Sequence, residues 1–370
     1  MKIPFVDLKK QYDSIKDEIL EAISKVLDSS SFIGGDSLKR FESKFAKFCE
    51  TDNCIGVGNC TNAIFISLRT LGVGKNDEVI TAANTFIATS EAISLTGAKA
   101  VFCDVNENTY NINADLIEEK ITKNTKAIVP VHLFGQPADM DKIIDIAMKY
   151  KLFIVEDAAQ ANGARYKDKR VGSIGDIGCF SFYPAKNLGA YGDGGAIVTD
   201  NTKIAKKIRM YANHGRSEKY NHEFEGINSR LDGIQAAVLN IKLNYFNGWL
   251  IKRKSNAKLY NIKLKEFEDI ITPKIPTDRE HVFHLYVVRA RKRNQLREFL
   301  FKNGIETGIH YPTALPNLKA YKNLGYTPDD FPVSSTLQDE IISLPMYPEL
   351  TEIEIDYIVN AIKKFYSKID

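Results

Sequence analysis

Through about the first 200 residues, short apolar, β-branched runs alternate with longer stretches of helical periodicity, and this alternation constrains the fold more than any other feature. The runs are Cys54–Gly58, Glu78–Thr81, Ala100–Asp104, Ala127–Val131, Phe153–Val155, Gly178–Phe182 and Gly195–Thr199. Between them, stretches such as Asn62–Leu71 and Asp141–Met148 space their apolar residues for one face of a helix. Such repetition predicts an α/β fold, a mostly parallel sheet with helices on both faces. From Asp232 to about Phe267 the pattern becomes continuously helical, and the composition changes near Thr272–Pro273. Further on, His284–Arg289 reads as a strand and Asn294–Asn303 as a helix closed by Gly304. Thr351–Tyr366 reads as a last helix, because Thr351 and Glu354 have capping-box spacing. The expected organisation is a large domain over 1–245, including an N-terminal arm, and a small C-terminal α+β domain with the connecting helix over 246–370.

Charge and cysteine usage narrow the function classes. Against 50 Lys+Arg stand 47 Asp+Glu, interspersed without a basic stripe, so no nucleic-acid partner is expected. No apolar run approaches the roughly 20 residues of a spanning helix, and Met1–Lys10 is too polar for a signal peptide. Cys49, Cys54, Cys60, Cys103 and Cys179 form no CxxC pair, which points to reduced, buried thiols in a cytoplasmic protein and to no metal site.

Two strand ends carry the candidate chemistry. Leu152–Val155 is an apolar run ending in Glu156 and Asp157, and ligands of open α/β sheets lie beyond the carboxyl ends of strands. Helix capping is the competing reading for an acid there. In Gly178–Gly195, Pro184 stops the strand and leaves Lys186 on a glycine-rich loop. A lysine on a loop is ordinarily just solvated. Paired with an acid at another strand end, 29 residues earlier, it suggests an amine held for covalent chemistry. Pyridoxal phosphate needs this set: a lysine for the Schiff base, a carboxylate for the pyridine nitrogen, and donors for the phosphate. Gly56–Ala63 turns from strand into helix and supplies backbone N–H groups for the phosphate. It is not a dinucleotide fingerprint, because Thr61 stands where the third glycine of that pattern falls.

The segments Cys60-Thr61-Asn62-Ala63, Asn84–Thr89, Val131–Gln136, Glu156–Gln160, Ser181–Asn187 and Gly226–Asp232, in this order, resemble the DegT/StrS family of sugar-nucleotide aminotransferases. The resemblance runs from Phe5 to Met346. It implies the aspartate aminotransferase-like architecture of pyridoxal phosphate enzymes (fold type I) and a homodimer with active sites at the subunit boundary. It also implies that Lys186 binds the cofactor and moves the proton, that Asp157 meets the pyridine nitrogen, and that Gln160 faces the ring hydroxyl. Phe86 would stack on the ring, its competing reading being a core aromatic. Cys60, Thr61 and Ser181 would hold the phosphate, joined by Asn228 from a second subunit, with helix capping as the competing reading for Asn228 and Arg230. Cys60 departs from the glycine usual in the family.

Tyr183 and Leu188-Gly189-Ala190 are similar to the members that aminate a 3-keto sugar, whereas 4-keto members more often carry His at the position of Tyr183. Arg216, Lys219, Tyr220 and His222 lie in a stretch similar to the 3-amino subgroup, and its Arg, Lys and His suit a nucleotide diphosphate. A solvated charged loop is the equal alternative. Tyr311 is a further substrate candidate. The implied reaction moves an amine from L-glutamate to a dTDP-linked 3-keto-6-deoxyhexose. Rivals are a 4-keto aminotransferase, a sugar dehydratase using the same cofactor, and a regulatory relative without activity.

Overall fold

Each of the seven apolar runs becomes a five-residue strand in the computed structural model, which describes residues 1–368. They are β1 (Asn53–Val57), β2 (Glu78–Ala82), β3 (Lys99–Cys103), β4 (Thr125–Val129), β5 (Phe153–Asp157), β6 (Ile177–Ser181) and β7 (Gly195–Thr199). They join in one sheet of order β1-β7-β6-β5-β4-β2-β3. The pairings β6–β5, β5–β4, β4–β2 and β2–β3 are parallel, and β7 alone runs against its neighbours. Strands rich in Val, Ile and Ala suit this sheet because helices cover both faces.

The helices, in order, are α1 (Leu8–Ser14), α2 (Lys16–Asp28), α3 (Gly35–Cys49), α4 (Cys60–Thr70), α5 (Ile87–Leu95), α6 (Met140–Tyr150) and α7 (Thr202–Tyr211). One face of the sheet packs on α4 and α5 around Ile64, Leu68, Ala92, Val129, Val155 and Ile197. The other face packs partly on α6, where Ile143 and Ile146 meet Ile80, Ile128 and Ile154. The five cysteines are free and buried.

Helix α8 (Gly233–Leu264) realises the long helical stretch and crosses the 245/246 boundary without a break. Its first half buries Ala236, Leu239, Phe246 and Leu250 in the large-domain core, and its second half buries Ala257, Tyr260 and Leu264 in a separate C-terminal core. The C-terminal part carries β8 (Ile270–Ile271), β9 (Tyr286–Ala290) and β10 (Ile341–Leu344) in one sheet, with α9 (Arg293–Lys302), α10 (Pro332–Glu340) and α11 (Glu352–Tyr366). Thr351 and Glu354 make the reciprocal capping box at the start of α11. The fold class and the small α+β unit are therefore as expected. Among the described residues, no helix is long and apolar enough to cross a membrane.

Candidate active site

The carboxyl ends of β5 and β6, the start of α4 and the start of α5 meet at a cavity of about 840 Å³, closed on one side by the C-terminal part. Strand alternation separates the two acids of β5. Asp157 shares a face with Val155 and lines the cavity. Glu156 points to the other face, where it accepts N–H bonds from Gly172, Ile174 and Gly175 at 2.7–2.8 Å and one from His132 Nε2 at 2.9 Å. His132 Nδ1 accepts the Ala138 N–H, which leaves Nε2 as the protonated nitrogen. Glu156 is thus fully engaged in the fold.

Asp157 is held by donors on both oxygens. The Thr89 hydroxyl donates to Oδ2 at 2.7 Å, and the Ala159 N–H donates to Oδ1 at 3.1 Å. Cys60 Sγ lies 4.0 Å from Oδ1. Burial pushes the Asp157 carboxyl above its usual range, while these two bonds and the nearby Lys186 amine act against the rise.

Lys186 sits on the loop after β6. Its backbone N–H donates to Tyr183 C=O at 2.8 Å, a tight turn that directs the side chain into the cavity. Burial lowers its ammonium to about 8, against the pull of Asp157 and Cys60. About a tenth of the amine is therefore neutral at pH 7.

The start of α4 lines the cavity with Asn59, Cys60 and Thr61. The Asn59 side chain accepts the Asn62 N–H and the Asn59 C=O accepts that of Ala63. Among the described residues no acceptor meets the N–H groups of Cys60 and Thr61, the free donors expected at a helix start. An anion fits there. Ser181, at the end of β6, lines the same side.

Phe86 caps α5 with its ring 53% exposed at the cavity, which excludes the core-aromatic reading. Gln160 Oε1 accepts the Phe134 N–H at 2.7 Å, and that bond assigns the amide, so Nε2 donates to Tyr311 Oη at 3.0 Å. Tyr311 thus reaches from the C-terminal part onto the cavity, its ring 5.6 Å from that of Phe86. Burial raises its phenol, so it stays protonated. Tyr183, 56% exposed, lines the rim.

Lys186, Asp157, Cys60, Thr61, Phe86, Gln160, Ser181, Tyr183 and Tyr311 therefore converge. Five other expected residues lie elsewhere on the chain. Arg216, Lys219, Tyr220 and His222 are exposed on a short hairpin, Arg216–Glu218 paired with Asn221–His222, and do not line the cavity. Asn228 is exposed and bridges to Asn213.

Thr89, Ser229 and His310 carry site geometry that the residue patterns did not reveal. Thr89 had one available signal, its position a helical turn after Phe86. The buried Ser229 Oγ accepts N–H bonds from Gly58 and the Asn62 side chain at 3.1 Å, bracing the loop that leads into α4. His310 bonds Ser343 Oγ through Nδ1 at 2.8 Å, and burial beside Lys186 holds it neutral, down to about 4.

A half-buried lysine with a lowered pKa, sharing a cavity with a buried carboxylate and a helix start that suits an anion, defines a class of enzymes that work on amines with a bound cofactor. Residues 13–363 match the DegT/DnrJ/EryC1/StrS aminotransferase family, and the chain belongs to it. It is 44% identical over 368 residues to a pleiotropic regulatory protein of Geobacillus stearothermophilus, covering 99% of each chain. It is 43% identical over 363 residues to a dTDP-3-amino-3,6-dideoxy-alpha-D-galactopyranose transaminase of Aneurinibacillus thermoaerophilus, covering 98% of this chain and 99% of that one. Among solved structures, S. venezuelae DesV in complex with a ketimine intermediate superposes with a TM-score of 0.96 at 40% identity, covering 98% of each chain. NtdA from Bacillus subtilis with bound cofactor PMP gives 0.92 at 32% identity, covering 98% of this chain and 85% of that one. The protein is an enzyme that transfers amino groups, with the fold of the pyridoxal phosphate aminotransferases.

Proposed function

We propose that this chain transfers the amino group of L-glutamate to a nucleotide-linked 3-keto-6-deoxyhexose, most simply a dTDP sugar, and releases the 3-amino sugar nucleotide. The observation that carries the reading is the convergence of Lys186, Asp157 and the free N–H groups of Cys60 and Thr61 on one cavity. These residues fit pyridoxal phosphate, because an amine, a shielded carboxylate and an anion-binding helix start are the three donors and acceptors it requires. When bound, that cofactor supplies an aldehyde for amines and a ring that accepts an electron pair.

The chain supplies the rest. Lys186, lowered to about 8, takes and returns a proton at Nζ. Asp157, held in place by Thr89 and Ala159, would meet the ring nitrogen. Gln160 would offer its second Nε2 proton to the ring oxygen, Phe86 would cover the ring face, and Ser181 would join Cys60 and Thr61 at the phosphate. Asn228, exposed on its own chain, reaches the phosphate of a second subunit in a homodimer. The hairpin carrying Arg216, Lys219, Tyr220 and His222 would meet the nucleotide diphosphate, and Tyr183 and Tyr311, which line the cavity, would face the sugar. The enzyme works in the cytoplasm.

The name of the Aneurinibacillus relative favours amination at C3. A second reading, regulation without turnover, is favoured by the name of the Geobacillus relative and by that of a sensory transduction protein of Saccharopolyspora erythraea, 41% identical over 363 residues. Intact Lys186 and Asp157 oppose it. The test incubates the enzyme with glutamate and a panel of 3-keto and 4-keto sugar nucleotides. Amination confined to 3-keto compounds is expected; amination only of 4-keto compounds overturns the position, and none at all supports the regulatory reading.

A further inference from the structure

Lys242 is a buried amine that the chemistry above does not use. It lies on α8 with 1% of its surface exposed, and its Nζ donates to Gly189 C=O at 2.7 Å and sits 4.1 Å from the centre of the Tyr191 ring. Among the described residues no carboxylate comes within ion-pairing distance of it. Burying a lysine with one carbonyl and one ring for company is costly, and an apolar side chain of similar length would fill the space without that cost. Burial accordingly lowers its ammonium to about 7, partly offset by Glu349, yet both protonation states keep an N–H for Gly189.

What the amine holds is the loop that carries Lys186. Gly189 packs so tightly on the turn before Lys186 that a Cβ there would stand 2.2 Å from Pro184 O. A pull on Gly189 is therefore transmitted to the Tyr183–Lys186 turn. Two more α8 side chains act on the site backbone. Gln235 Oε1 accepts the Tyr191 N–H at 2.9 Å, and Arg253 Nη1 donates to Phe283 C=O and Met346 C=O, each at 3.0 Å. Residues 235, 242 and 253 fall within about 20° of one another around a helix of 3.6 residues per turn. One polar stripe of α8 thus grips backbone from both parts of the chain, of which Met346 lines the cavity and Gly189 follows Lys186 by three residues.

We propose that Lys242 is a positioning residue for the transamination, fixing the Lys186 loop against α8 through Gly189 so that Lys186 Nζ is held in reacting geometry. The proposal rests on Lys186 being the cofactor lysine. The test compares wild type, Lys242→Met and Lys242→Arg as holoenzymes by the pH midpoint of the bound cofactor's visible band, by kcat and KM for glutamate, and by melting temperature. In Lys242→Met the midpoint should move by about half a pH unit or more and kcat should fall about tenfold or more. KM for glutamate should stay within about threefold, and Lys242→Arg, which keeps a donor, should recover much of the loss. A Lys242→Met enzyme with a lower melting temperature but wild-type midpoint and kcat shows a purely structural lysine and overturns the proposal. If Lys242→Met does not fold, Gln235→Leu, which removes the adjacent tether at Tyr191, takes its place with the same two outcomes. A wild type whose cofactor is attached elsewhere defeats the functional reading instead, and that result is visible before any variant is made.

Discussion

At the scale of single residues, the site is a set of pKa values arranged by burial. Lys186 is lowered to about 8 by desolvation, so its neutral, nucleophilic form grows as pH rises through that value. Cofactor uptake by the apoenzyme should accelerate with pH up to about 8 and level off above it, as followed by stopped-flow absorbance; a rate independent of pH between about 6 and 9 contradicts the assignment. Lys186→Ala should lose turnover by about a thousandfold or more while still binding cofactor without a covalent bond. Asp157 depends on the Thr89 hydroxyl for one of its two donors. Thr89→Val should weaken cofactor binding about tenfold, the worth of one hydrogen bond to a charged group, measured by equilibrium titration. Unchanged affinity would show that Asp157 needs no such support.

At the scale of elements, the antiparallel strand β7 passes close to the loop entering α4. A Cβ on Gly195 would stand 2.6 Å from the Asn59 carbonyl carbon, a backbone atom that cannot yield cheaply. Gly195→Ala should displace the start of α4 and cost stability of about 1–3 kcal/mol, seen as a lower midpoint in urea unfolding together with weaker phosphate retention. The seven central strands were legible because each is a short apolar run bounded by breakers and buried on both faces. The Arg216–His222 hairpin was not, since its residues are polar and exposed and carry no period-two pattern. The site followed the same divide. Lys186 and Asp157 announce themselves at strand ends, whereas Thr89 and Ser229 act only because α5 and the 226–232 loop are folded against the sheet. No local pattern encodes that meeting.

At the scale of the whole molecule, Asn228 and the charged hairpin are exposed and do not line this chain's own cavity, so the proposed function calls for a second chain to bring them to a site. Sedimentation should therefore find two chains of 41.6 kDa together. Asn228→Ala should loosen the cofactor about tenfold without separating them; a fully active monomer contradicts the shared site. The proposed chemistry then turns on one amine, that of Lys186. Borohydride reduction of the holoenzyme followed by peptide mapping tests this most directly. The account predicts one pyridoxyl-tagged peptide, containing Lys186; a tag on another lysine, or none, contradicts it.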